Sequence, residues 1–290
     1  MKNKIIIGSA NFNQIYGIRK NFISKREIRK LFNFALKNKI KTIDTSPSYD
    51  RSEKIIGLLN NNRFKIISKI PTPPKKIKKK NIKKWVENVV MISQRNLQIK
   101  KFECLLIHNA DLLLTKKGEI IYKSIKKLQK NGIVNKIGLS IYDFNILGKI
   151  LKKFKPNLIQ VPFNIFDQRL LEGKWLDRLY KRRIEIHARS IFLQGTLLLN
   201  HNDLPRKLKK FKNVWIKLEK WLEKNKFTPL QACVSFALCQ NKLKGIVVGC
   251  DSIKQLNEIL SVKKDNFMTP NFKIKNKKLI DPREWTSKIK

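Results

Sequence analysis

Short apolar runs alternate with longer amphipathic stretches along almost the whole chain. The runs, each of four to six residues, read as buried strands at 5–8, 41–44, 65–69, 103–108, 136–140, 158–161, 184–187 and 245–248. Between them, helical periodicity recurs at 25–38, 52–59, 82–97, 118–131, 144–154, 172–181 and 230–240. Continuous apolar strands separated by amphipathic helices are what a parallel sheet covered by helices requires. Eight of them, with no compositional break that could serve as a linker, predict an α/β fold: one (β/α)8 TIM barrel over 1–270, followed by a basic tail over 271–290 too polar to be core. An open doubly wound sheet is the runner-up. It would want a Gly-rich fingerprint after its first strand, and Gly8-Ser9-Ala10-Asn11-Phe12 is not one.

A barrel builds its active site at the C-terminal ends of its strands. Asp44, Lys69, His108, Ser140, Gln160, Ser190 and Gly249 each close or follow a predicted strand, and all but the last are polar. Tyr49 stands five residues beyond Asp44 in the segment IDTSPSYDRSE. Hydride reduction of a carbonyl builds negative charge on its oxygen, so a proton donor must lie within hydrogen-bond reach of that oxygen. A free phenol, with a pKa of about 10, releases its proton reluctantly. An ammonium close by favours the phenolate and lowers that value, which is the part expected of Lys69. Asp44 would pair with Lys69 and hold it, while His108 would donate to the same oxygen. Singly, the four also read as a helix cap, a loop aromatic, one lysine among many and a satisfied buried histidine. Together, at the ends of three consecutive strands, they are hard to credit to chance.

At 290 residues and 42% hydrophobic, the chain can bury a large core. No apolar run reaches the roughly 18 residues of a membrane span, and 5–7 is too short for a signal-peptide core, so a cytoplasmic enzyme is expected. Cys104, Cys233, Cys239 and Cys250 form no CxxC pair and have no histidine at ligand spacing, which points to reduced structural thiols and no metal site. The net charge is +44, from 65 basic and 21 acidic residues, yet only 13 of the 65 are arginine. Nucleic-acid readers draw on arginine for bidentate contacts, whereas this chain is rich in Lys, Asn and Ile, the trio that AT-rich codons encode. The densest run, KKIKKKNIKK at 75–84, reads as a solvated helix face; polyanion or anionic-membrane binding is its alternative. No specific nucleic-acid partner is expected. The field should still speed the arrival of an anionic cofactor or substrate, less so in salt.

The four residues resemble the Asp, Tyr, Lys and His tetrad of the aldo-keto reductases, and the likeness covers nearly the whole chain. GSANFNQIYG at 8–17 looks like the family's opening strand and loop, IDTSPSYDRSEKIIG at 43–57 its DTA-x-x-YG-x-SE signature, and LLIHNAD at 105–111 its histidine segment. IGLSIY at 137–142, QVPFN at 160–164, HARSIFLQGTLL at 187–198 and VVGCDSIKQL at 247–256 are similar to its fifth to eighth strand motifs, in order. The resemblance implies a barrel that binds extended NADPH, with NADH possible, and reduces an aldehyde or ketone with Tyr49 as proton donor. It also implies cofactor contacts from Gly8, Asp44, Ser140, Gln160, Arg189, Ser190, Gly195, Gly249, Ser252, Lys254 and Gln255. Among these, Ser140 and Gln160 would hold the nicotinamide carboxamide, Gly195 would admit the phosphates, and Ser252, Lys254 and Gln255 would grip the adenosine end. The alternative is a helix cap for Ser140 and an N-cap or loop amide for Gln160; the order of the motifs favours the cofactor reading.

Three positions depart from the family pattern. Ile141 stands where many members have Asn, Asp50 replaces the glycine after the tyrosine, and Arg189 stands near where an aromatic residue often stacks on the nicotinamide. They motivate a second reading, a cofactor-binding regulatory or sensor protein with little turnover. Phe12, Tyr16 and Trp215 fit either an apolar substrate mouth or ordinary packing. The positive field hints at an anionic carbonyl substrate.

Overall fold

The computed structural model describes residues 2–12, 23–263 and 267–285. Eight strands, β1 (Ile5–Gly8), β2 (Thr42–Asp44), β3 (Lys65–Ile70), β4 (Phe102–Ile107), β5 (Val134–Ser140), β6 (Leu158–Pro162), β7 (Glu185–Arg189) and β8 (Gly245–Gly249), close into a barrel in sequence order. Every neighbouring pair is parallel, including β8 with β1. Helices α1 (Lys25–Lys37), α2 (Ser52–Asn60), α3 (Ile82–Leu97), α4 (Lys116–Lys130) and α5 (Leu147–Lys153) follow the first five strands. After β6 come α6 (Arg169–Glu172) and α7 (Trp175–Lys181), after β7 come α8 (Lys212–Lys224) and α9 (Pro229–Leu238), and after β8 come α10 (Ile253–Ser261) and α11 (Lys277–Ile280). The (β/α)8 barrel predicted from alternation is therefore the observed fold.

Two apolar clusters hold it. Ile6, Ile67, Cys104, Leu106 and Leu158 fill the barrel interior, with Val247 packed on them, so the barrel is plugged beneath its C-terminal mouth. A larger cluster lies between strands and helices. Helices start where local chemistry satisfies their first N–H groups: Ser24 with Glu27, and Thr228 with Gln231, form reciprocal capping boxes on α1 and α9. Gly57 marks a close approach, because a Cβ there would lie 2.1 Å from the carbonyl oxygen of Asn96 on α3.

Some elements differ from the sequence expectation. β7 runs two residues past the predicted end and carries Arg189 to the mouth. Helices α8 and α10 went unread. In α8 the buried stripe of Trp215, Leu218 and Leu222 is interleaved with lysines that dilute its periodicity. The lysine run at 75–84 is solvent-exposed at its charged positions, but most of it is a turn and a 3-10 segment leading into α3 rather than a helix face. The segment after 271 is not simply a polar tail. Leu279 and Ile280 are buried in the core cluster, the Ile274 N–H donates to Phe166 O, and Gln168 Nε2 donates to Pro270 O. Phe272, Ile274 and Trp285 pack against the same cluster, so scattered apolar residues among lysines dock it. Trp215 is packing, fully buried with Nε1 donating to Thr196 O at 3.0 Å, and Phe12 is buried against Phe32. Tyr16 lies outside the described residues.

Candidate active site

Asp44 closes β2, Lys69 lies near the end of β3, His108 follows β4, and Tyr49 sits in the loop between β2 and α2. Lys69 Nζ donates to Asp44 Oδ1 at 2.5 Å and to Thr45 O at 2.8 Å, and both side chains are almost wholly buried. The other carboxylate oxygen of Asp44 accepts from Gln160 Nε2 at 2.8 Å. A buried ion pair persists only where such additional bonds satisfy it. The Lys69 ammonium lies 5.1 Å from the centroid of the Tyr49 ring, and His108 meets that ring edge-on at 6.2 Å between centroids. His108 Nδ1 is 3.5 Å from Ser46 Oγ. The structure thus brings all four predicted residues to one point.

The loop that carries Tyr49 is fastened by the rest of its motif. Ser52 Oγ donates to Ser9 O at 2.8 Å, tying the start of α2 to the β1 loop, and Glu53 accepts from Ser68 Oγ on β3 at 2.8 Å. Asp50 adopts φ 36°, the left-handed region that favours glycine, so its replacement of a glycine is accommodated as local strain.

Burial dominates the electrostatics. It pushes the Tyr49 pKa up, and the pull of Lys69 and Arg189 in the other direction does not overcome it. Lys69 therefore acts on the phenol in the expected sense, but the net value lies above the ordinary one, and Tyr49 holds its proton at neutral pH. Burial alone would lower the Lys69 pKa; Asp44 and Tyr49 more than offset it, so Lys69 stays cationic. Burial, followed by Lys69 and Arg189, lowers His108 to about 4, which leaves its imidazole neutral at pH 7.

The tetrad opens into a cavity of about 870 Å³ that runs from the β1 loop past the ends of β7 and β8 to α9 and α10. Gly8, Ser140, Gln160, Arg189 and Ser190 line it near the tetrad. Gly195, Gly249 and Gln255 line its far part. Ser252 and Lys254 do not: Ser252 Oγ caps α10 by accepting from the Gln255 N–H, and Lys254 is exposed. The loop after β7 turns sharply, with positive φ at Ser190, Leu193, Gln194 and Gly195. At Gly195 a Cβ would meet nothing within 4 Å, leaving the backbone open to the cavity. Ile141 is buried and offers no side-chain hydrogen bond. Gln160 Oε1 is buried with no hydrogen-bond partner among the described residues, so a carboxamide N–H would satisfy it. On that observation the residues present fit a nicotinamide cofactor, which Ser140 and Gln160 would hold at one end and the open groove at the other.

Several residues of the wall were not read from the sequence, among them Asn11, Tyr142 and Arg283. Asn11 donates to Cys250 O at 3.1 Å and to Asp251 Oδ1 at 2.7 Å, bridging the ends of β1 and β8, while its own Oδ1 is buried without a partner among the described residues. Its place just past the first strand was the available signal. Tyr142, two residues beyond Ser140, and Arg283, from the C-terminal segment, also line the cavity. Nothing in the sequence around Arg283 announced it.

A closed (β/α)8 barrel with a cavity of mixed apolar and polar lining at the C-terminal ends of its strands is the architecture of a barrel enzyme. This chain belongs to the aldo/keto reductase family, whose model matches residues 4–278. The family is one of NAD(P)H-dependent oxidoreductases that act on small carbonyl compounds. Among solved structures, the fold matches a candidate aldo-keto reductase from Pseudomonas aeruginosa at 19% identity and TM-score 0.64, over 89% of this chain and 88% of that one. It also matches a thermostable aldo-keto reductase crystallised with the inhibitor epalrestat, at 19% identity and TM-score 0.68, over 91% of this chain and 90% of that one. No curated protein matches the sequence. Among the described residues, no helix is long and apolar enough to cross a membrane.

Proposed function

We propose that the protein is a cytoplasmic, NADPH-dependent reductase of aldehydes or ketones. The observation that carries this reading is the buried Asp44–Lys69 pair set against the Tyr49 ring, with a neutral His108 beside it, at the mouth of one cavity. Bound nicotinamide would supply the hydride. Tyr49, protonated at rest, donates its proton to the carbonyl oxygen as charge develops there. Lys69 stabilises the phenolate left behind, and Asp44 fixes Lys69 so that the charge needs no reorganisation. His108, being neutral, orients the carbonyl by hydrogen bonding without adding a second cation beside Lys69. Gln160 serves twice, donating to Asp44 through Nε2 and presenting Oε1 to the carboxamide. NADPH is favoured over NADH by the positive field of the chain, although Lys254, the residue expected to select it, stands outside the cavity wall.

The complete tetrad supports turnover over a sensor role. A panel of sugars, aldehydes and keto acids, each offered with NADPH and with NADH, tests the choice. Consumption of the reduced cofactor with at least one carbonyl is expected. Saturable cofactor binding with no turnover on any of them would favour the sensor.

A further inference from the structure

Two arginines converge on one aromatic ring beside the tetrad. The Arg189 guanidinium carbon lies 3.9 Å from the centroid of Tyr142, and that of Arg283 lies 3.6 Å from it. All three side chains line the cavity. The charges around them do not balance. Lys69 is offset by Asp44, and Arg283 by Asp281, to which it donates from Nε and from an Nη. Arg189 donates only to neutral acceptors, Ser190 Oγ at 3.3 Å and Ile141 O at 3.4 Å, and pairs with no carboxylate among the described residues. Asp281 lies close enough to feel Arg189 as well as Arg283, so two guanidiniums share one carboxylate and one positive charge is left over, which cation–π contact with Tyr142 offsets only in part. That excess charge favours an anion entering the cavity, and a comparison of matched substrates separates a substrate anion from the cofactor's own phosphates.

We infer that Arg189 makes this pocket selective for carbonyl compounds that carry an anionic oxygen group, carboxylate or phosphate, close to the carbonyl. The inference rests on the reductase reading and names its substrate class. Arg189 lines the same cavity as Tyr49 and His108, so an anion held there shares the cavity with the carbonyl. The guanidinium fork matches carboxylate and phosphate oxygens, with Arg283 at the rim of the same ring available to steer the group inward. The Arg–Tyr–Arg stack fixes the fork in place, so little side-chain freedom remains to be lost on binding.

Matched substrate pairs test this on the intact protein with NADPH: a 2-oxo acid against its methyl ester, and an aldehyde phosphate against the dephosphorylated aldehyde. The expected preference in kcat/KM for an anionic member is about 10- to 100-fold, the worth of one charge-assisted hydrogen bond. Whichever pair shows the larger ratio identifies carboxylate or phosphate as the source. Arg189→Gln should remove most of the anionic-to-neutral ratio, read as a ratio within the variant so that any shared loss cancels, and Arg189→Lys should restore part of it. Equal or better use of the neutral members by the unaltered protein would overturn the inference. So would an Arg189→Gln protein whose anionic-to-neutral ratio equals that of the unaltered protein, whatever happens to NADPH affinity. If no carbonyl is turned over, the reductase reading fails on its own. Binding of the 2-oxo acid and of the aldehyde phosphate to the NADPH complex, read by change in cofactor fluorescence and compared with Arg189→Gln, then decides for or against the anion site.

Discussion

His187 sits inside the barrel, 5% exposed, with Nδ1 lacking a partner among the described residues, and burial lowers its pKa to about 4. In the unfolded chain a histidine titrates near 6.5, so between these values the unfolded state binds the proton and the native state does not. Stability therefore rises with pH through this window and is lost as pH falls from about 6.5 toward 4. A gap of this size corresponds to on the order of 3 kcal/mol for His187, and His108 contributes in the same direction. Urea unfolding at pH 7 and pH 4.5 should show a clearly lower midpoint at the acid value, and His187→Gln should shrink that difference; equal midpoints would contradict the assignment. At this scale the sequence was legible where chemistry coincided with a strand end. Asp44, Lys69 and His108 terminate apolar runs, so their positions followed from periodicity. The surroundings of Arg189 did not follow. Its partner Tyr142 comes from the β5 end and Arg283 from nearly a hundred residues further on, a convergence that only the closed barrel creates.

Among the elements, the strands were readable because each is buried on both sides and so nearly continuous in apolar residues. Most helices were readable too, but α8 and α10 were not, since they carry their buried positions among charged or polar neighbours. The docked C-terminal segment is the sharpest case. Ile280, 1% exposed, is followed by Asp281, which anchors Arg283 at the cavity rim. Truncating it should leave a cavity that its neighbours fill only partly. Ile280→Ala is expected to cost about 2–5 kcal/mol in chemical denaturation. A loss below about 0.5 kcal/mol, the range of an ordinary surface change, would mean that this segment is not docked as described.

For the molecule as a whole, the net charge of +44 sets a field that favours anionic ligands, while the barrel supplies a single mouth where eight strand ends converge. The same closure brings Tyr49 from one loop against Lys69 on β3 and His108 just past β4, which no local segment could do. The account rests on Tyr49 being the proton donor in that assembly. The most direct test is the turnover of Tyr49→Phe, measured beside its NADPH affinity on a carbonyl that the unaltered protein reduces. The substitution keeps the ring and removes only the hydroxyl. The account predicts a fall in kcat of about 100- to 10,000-fold, the usual contribution of general acid catalysis, with NADPH affinity largely retained. Turnover close to that of the unaltered protein would contradict it.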